Sequence, residues 1–366
     1  MPLTAPAAGT LPVSMRFRSL LLTLAPALAM VAGCASSGAA GPGAAPIASR
    51  DEWASPLHRD HPLAGRVWTV REGRWVDEAA LAADLARADF VLLGETHDNP
   101  DHHLLQARLV AALAATGRQP AVAFEMLETT QQRALDAAQV GRQLDADRVA
   151  AAVDWEHGGW PDFSLYRPIF AAGLRAGLPL LAANLPRRDV DNFFKVGGNA
   201  FSSGVREILR RAGSLPHGSA RAMAEEMRQA HCGQLPEELI APIVQIQRAR
   251  DAQMAARLLS ADRELQAAGY EQGAVLIAGL GHVRVDRAVP SYLAREAPAR
   301  SVRSVAFLEV SPDRLTPEDY RPAFGGGPLP FDYVVFTPAV PRPDPCGGLR
   351  RRAPAPPGGT LTARAD

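Results

Sequence analysis

Six short runs of the chain are apolar at nearly every position: FVLLG (90–94), AVAFE (121–125), LPLLAAN (178–184), AVLIAG (274–279), VRSVAFLEV (302–310) and DYVVF (332–336). A strand with one face in water alternates apolar and polar residues, whereas a strand covered on both faces has no need to. Between the runs, residues 77–87, 100–115, 129–138, 165–176 and 284–295 carry apolar residues at helical spacing. Strands alternating with helices build βαβ units. The expected fold is α/β, a mostly parallel sheet flanked by helices. From about 191 to 268 the rhythm changes to helix after helix, through SSGVREILRRAG, SARAMAEEMRQA and the long run from Pro236. That stretch predicts an all-helical subdomain, 191–268, packed over the sheet and inserted into an α/β domain made of 66–190 and 269–349.

Composition adds exclusions. The 366 residues are 47% hydrophobic and 21% charged, enough for a large core. Basic and acidic residues balance at 39 each. No nucleic-acid partner is expected, because such proteins carry a basic excess or stripe. Lys195 is the sole lysine, so arginine is favoured throughout and no single arginine carries much weight.

The first 33 residues read as a secretory signal. Arg16 and Arg18 precede an apolar core over 20–30, followed by Val31-Ala32-Gly33-Cys34. The core is too short to span a bilayer. A start at Met15 preserves the whole signal. Cys34 behind small residues is the expected lipidation site, with a palmitate-type acyl anchor after cleavage. Ala35 follows it, with no aspartate to hold the product at an inner membrane. The expectation is a bacterial outer-membrane lipoprotein facing the periplasm. Residues 34–65 are expected to be the lipidated cysteine and a flexible tether, and 350–366 a disordered tail. With Cys34 acylated, Cys232 and Cys346 remain, and an oxidising compartment favours a disulfide between them.

Ligands in open parallel sheets collect beyond the carboxyl ends of the strands. Residues after each apolar run are therefore informative. They are Glu95 and His97, then Glu125 with Glu128 nearby, then Asn184, then His282. GETH (94–97) and GLGH (279–282) are both Gly-x-x-His, and glycine there lets the backbone turn and a ligand approach. Asn99, Pro100 and Asp101 are accounted for as a helix start. His102 and His103 point about 100° apart on that helix, one expected toward the site and the other toward solvent. The cluster has three open readings. It binds a ligand or metal; or it is the acid–base centre of a hydrolase using Glu95, His97, Glu125 and His282, with a divalent metal as one option; or it is a structural network.

VLLGETHDNPDHHLLQ, AVAFEML, Trp160 through YRPIF, LLAANLPR, QRARDAQMA, GLGHVR, VPSYL, DYVVFTP and DPC together resemble the ChaN-like haem-binding lipoproteins, in order from about 66 to 349. That family is similar to the wider Tiki superfamily, which includes metalloproteases and erythromycin-esterase-like enzymes. The resemblance implies haem binding, a role in iron acquisition, and a protein that binds more than it turns over. It also implies a homodimer sharing the haem surface. Tyr166, in a Trp-flanked apolar segment, is the first choice of axial ligand, with Tyr270, Tyr292, Tyr320 and Tyr333 as rivals. His97, His282 and Glu95 are further cofactor-binding candidates. Met223, Met227, Met254 and Leu258 offer an apolar face for a porphyrin. His157, His217 and His231 are candidates for propionate or axial contacts.

Overall fold

The sheet has eight strands: β1 (Val67–Thr69), β2 (Arg74–Val76), β3 (Phe90–Glu95), β4 (Ala121–Glu128), β5 (Leu180–Asn184), β6 (Ala274–Gly279), β7 (Val302–Glu309) and β8 (Tyr333–Thr337). Their spatial order is β2-β1-β8-β7-β3-β6-β4-β5. The six from β8 to β5 are parallel, and only β1 runs against them, paired antiparallel to both β8 and β2. This computed structural model describes residues 44–141, 145–269, 273–344 and 346, all within one compact unit, Ala40–Asp366. The signal at 1–33, Cys34, Tyr270 and the 350–366 tail lie outside the described residues.

Alternation within each strand divides the core in two. Val91, Leu93, Val122, Phe124, Val275, Ile277, Val305 and Phe307 point to one face. There they meet α1 (Glu78–Leu85), α2 (Pro100–Ala115), α3 (Gln132–Ala138), α4 (Ala146–Ala152) and α5 (Phe163–Arg175). Phe90, Leu92, Ala123, Leu276, Ala278, Ala306, Val334 and Phe336 point to the other. That face is covered by α6 (Arg187–Val196), α7 (Ser203–Ala212), α9 (Glu237–Ala267) and α10 (Val289–Glu296). Both strand faces are dry, which is why the runs are apolar throughout.

The helical stretch, which also contains α8 (His217–Ala230), is thus the second covering layer of the sheet rather than a separate lobe. The Cys232 and Cys346 sulfurs are bonded, with Cα atoms 5.4 Å apart, tying the end of α8 to the segment beyond β8.

Three expectations change. Residues from 44 are not a free tether: Ile47, Trp53, Ser55 and Leu63 are buried. The Asp101 carboxylate at the start of α2 accepts from the Ala54 and Ser55 N–H groups, each at 2.8 Å. The hairpin of β1 and β2 was not expected, its strands being three residues each. The helix expected from Arg284 begins at Val289, because Arg284 is turned inward to pair with Asp286 and Glu226.

Candidate functional site

The last residue of β3, Glu95, is buried among polar partners. Its Oε1 accepts from the Tyr166 hydroxyl at 2.8 Å and lies 2.9 Å from His97 Nδ1. A carboxylate oxygen only accepts, so Nδ1 of His97 carries the proton and Nε2 keeps its lone pair in the neutral ring. Burial pushes the Glu95 carboxyl up, but His103 and His97 outweigh it and hold the carboxyl well below the usual range. Burial likewise disfavours charge on His97, yet Glu95 and Glu125 raise its pKa above the ordinary value. His103 Nε2 sits 2.9 Å from Glu95 Oε2, but off the hydrogen-bonding direction. Its ring is tilted against Tyr166, centroids 4.2 Å apart.

The second group lies one strand over. Glu125 stands where the register of β4 against β5 shifts, a bulge that re-aims its side chain. Its Oε2 accepts from the Gly279 N–H at 2.6 Å and its Oε1 lies 3.2 Å from His282 Nε2. His282 Nδ1 is 2.6 Å from Asp251 Oδ1 on α9. Burial opposes charge on His282, but the two carboxylates push its pKa up to about 10, so it is an imidazolium donating from both nitrogens. Burial raises and His282 lowers the Glu125 carboxyl, which is held down at about 2. Asn184 donates to the Glu125 carbonyl at 2.8 Å and accepts from Arg250 at 2.9 Å.

Glu95, His97, Glu125, Asn184 and His282 thus meet on one rim. Gly279 joins the two groups. A Cβ there would fall 2.9 Å from His97 Nε2 and 3.5 Å from Glu125 Oε2, so the close approach requires glycine. The members differ in access. Glu95 and Tyr166 are buried, both nitrogens of His282 are occupied, and the His97 side chain is 35% exposed. Trp160 meets His97 edge-on at 5.0 Å and also lines a cleft of about 750 Å³ with Trp155, Phe163 and Arg167.

Several expected roles move accordingly. Tyr166 is turned into the core against Glu95. Its hydroxyl is buried and donated to Glu95, and burial with the adjacent negative charge drives its pKa far up, away from the phenolate iron would need. Tyr292 and Tyr320 are buried, and the Tyr333 hydroxyl donates to Asp84 at 2.9 Å. His282 has both nitrogens bonded to carboxylates, so neither is free for a metal. His102 does not face solvent: both it and His103 are fully buried. His102 Nδ1 accepts from the Thr96 N–H at 2.9 Å, Nε2 reaches Thr337 at 2.8 Å, and burial pushes its pKa down to about 3, so it is neutral and fixes the loop bearing His97.

Met223, Met254 and Leu258 are core residues, not a porphyrin surface. His157 pairs with Asp154, and His231 bonds the Met227 carbonyl within its own helix. Asp251, His103 and Trp160 are the site residues whose roles the sequence left unmarked. Asp251 had one signal: an acid among the buried positions Ala249, Ala252, Met254 and Ala255 of α9. Among the described residues, no three His, Cys, Asp or Glu side chains are arranged to hold a metal ion.

A doubly covered, mostly parallel sheet with a buried histidine–carboxylate cluster at its carboxyl rim defines an α/β protein, and that rim is the edge where such sheets gather ligands. Over residues 81–293 the chain matches the family described as haem-binding uptake, Tiki superfamily, ChaN, and it belongs to that family. A structure described as cofacial haem binding to ChaN of Campylobacter jejuni is similar in fold, with 20% identity and a TM-score of 0.53, covering 74% of this chain and 95% of that one. An erythromycin esterase mutant in its open conformation is 14% identical with a TM-score of 0.41, over 73% of this chain and 95% of its own. The type III effector HopBA1 is 14% identical with a TM-score of 0.40, over 70% and 91%. No curated protein matches the chain.

Proposed function

We propose that this chain binds haem at the rim and serves haem or iron acquisition from a lipid-anchored position. The observation that carries the reading within the family is His97. Its Nδ1 is bound to a buried carboxylate, its Nε2 is open, and an aromatic cleft adjoins it. A carboxylate on the far nitrogen sets tautomer and ring orientation and makes Nε2 a better iron donor. Trp160, Trp155 and Phe163 supply aromatic walls, while the polar lining is Arg167, paired with Asp147, together with Asp154, Glu156 and Asp162. Within this fit the chain orients the imidazole and shields it, while haem supplies the iron. His97 would hold the iron through Nε2, and a second copy of the chain is the proposed partner, so hemin should promote dimers. The test is gel filtration of the Ala40–Asp366 unit with hemin: co-elution with a shifted Soret band supports the reading, and free hemin eluting apart rejects it.

Cys34 is the proposed anchor, the periplasmic face of an outer membrane the proposed location. Labelled palmitate should enter the full chain and be lost in Cys34→Ser; equal labelling of both would reject the anchor.

The Glu95–His97 pair favours one second reading, a hydrolase. Neutral His97 would take a proton from water at Nε2, with Glu95 stabilising the imidazolium. A metal-dependent version finds no donor set among the described residues. Turnover of ester or peptide substrates that vanishes in His97→Ala would establish this reading, and no turnover would exclude it for those substrates.

A further inference from the structure

Away from the rim, a cavity of about 490 Å³ opens between the turn Gly197–Ala200, α7 and α9. Phe201 and Leu209 form its apolar lining, and Arg206, Arg210 and Arg248 its charged one. The three guanidiniums are not equivalent. Arg210 is held in two bonds by Glu207, at 2.6 and 2.8 Å, and is neutralised. Arg206 donates to the Phe201 carbonyl at 2.7 Å, and Arg248 to the Gly213 carbonyl and the Tyr292 hydroxyl, neutral contacts that leave both charges uncompensated. Neither has an acidic partner among the described residues. Arg248 Nε is in addition buried with no hydrogen-bond acceptor.

Beside this cavity the surface is apolar where it should be polar. Phe194 is 56% exposed and Val196 is 54% exposed, with Lys195 exposed between them. Phe194 packs on Phe193 at 5.8 Å, and Phe193 stacks on Phe201 at 5.3 Å. An aromatic row therefore leads from solvent to the cavity wall. Exposed phenylalanine and valine beside uncompensated arginine is the make-up of an interfacial contact: apolar side chains enter the headgroup boundary while guanidiniums take phosphate oxygens.

We infer that this face docks on an anionic phospholipid surface, with one headgroup phosphate held by Arg206 and Arg248. The inference rests on the lipid-anchor reading only for its setting, since a short tether at Cys34 would hold the unit near a bilayer. The docking surface itself needs no anchor.

The test uses the unlipidated Ala40–Asp366 unit and sedimentation with vesicles. Phosphatidylcholine vesicles with phosphatidylglycerol should carry the protein down, phosphatidylcholine alone should not, and raising salt should release it. Arg206→Gln and Arg248→Gln should each weaken binding about fivefold. Arg210→Gln, already neutralised, should change it little. Phe194→Ser should weaken vesicle binding with no change in hemin binding. Equal sedimentation with both vesicle types, or none with either, overturns the inference. So does a saturable thermal shift with inorganic phosphate alone, lost in Arg248→Gln, without vesicle binding: that marks a site for a soluble anion. Loss of hemin binding in the arginine variants also overturns it, returning the cavity to propionates. Palmitate labelling reads the anchor independently, so the two can fail separately.

Discussion

His97 and iron compete with a proton for the same nitrogen. Glu95 takes the Nδ1 proton, so Nε2 is the free donor only while the ring is neutral. Burial works against the imidazolium, but Glu95 and Glu125 raise the pKa of His97 above 6.5. Below that raised pKa, hemin affinity should therefore climb by up to about tenfold per pH unit as the pH increases, then level off. A hemin titration across pH checks this; a flat or opposite trend contradicts His97 as the donor. Tyr166→Phe separates the phenol's two assignments. As a partner of buried Glu95 its loss should cost about 1–3 kcal/mol of stability in denaturant melts, with the Soret band retained. Loss of the band at unchanged stability would restore the phenol as ligand. At this scale the sequence was half legible. Glu95, His97, Glu125 and His282 stood out because each follows an apolar run. Their division into open and saturated groups was not legible, since it depends on Asp251 and Tyr166, which arrive from distant helices.

Strands were more readable than single contacts. β3 to β8 announce themselves because two helical layers dry both faces, whereas β1 and β2 are too short to form a pattern. The helical stretch was readable as helices packed over the sheet, but which residues of each helix meet it was not, because spacing alone does not say which face turns inward. Two consequences belong to elements. The Cys232–Cys346 bond closes 114 residues of chain, including all of α9, so removing both cysteines should cost about 2–5 kcal/mol of stability. Equal denaturant midpoints with and without reductant would contradict that. α9 is also held by Asp251 on charged His282. The raised His282 pKa, about 10 against 6.5 unfolded, gives stability fully present below pH 6.5 and lost as pH rises toward 10. Thermal melts should fall over that alkaline window in the parent, and much less in His282→Gln, whose melting point is lower at neutral pH.

Across the whole molecule, the sheet places two kinds of surface apart in role. Its carboxyl rim gathers the histidines and carboxylates, and the outer helices α6 and α7 bring exposed phenylalanine and arginine to a separate cavity. Under the proposed lipid-anchored reading, the rim is the candidate ligand pocket and the outer face the candidate docking surface. Family membership places haem in view, and His97 is where the described residues offer iron an open donor. Hemin titration of the His97→Ala chain beside the parent, followed at the Soret band, tests that most directly. The parent should saturate with a shifted band, and the variant should bind at least tenfold more weakly with an altered band. Identical titrations would place the iron elsewhere and remove the rim from haem binding.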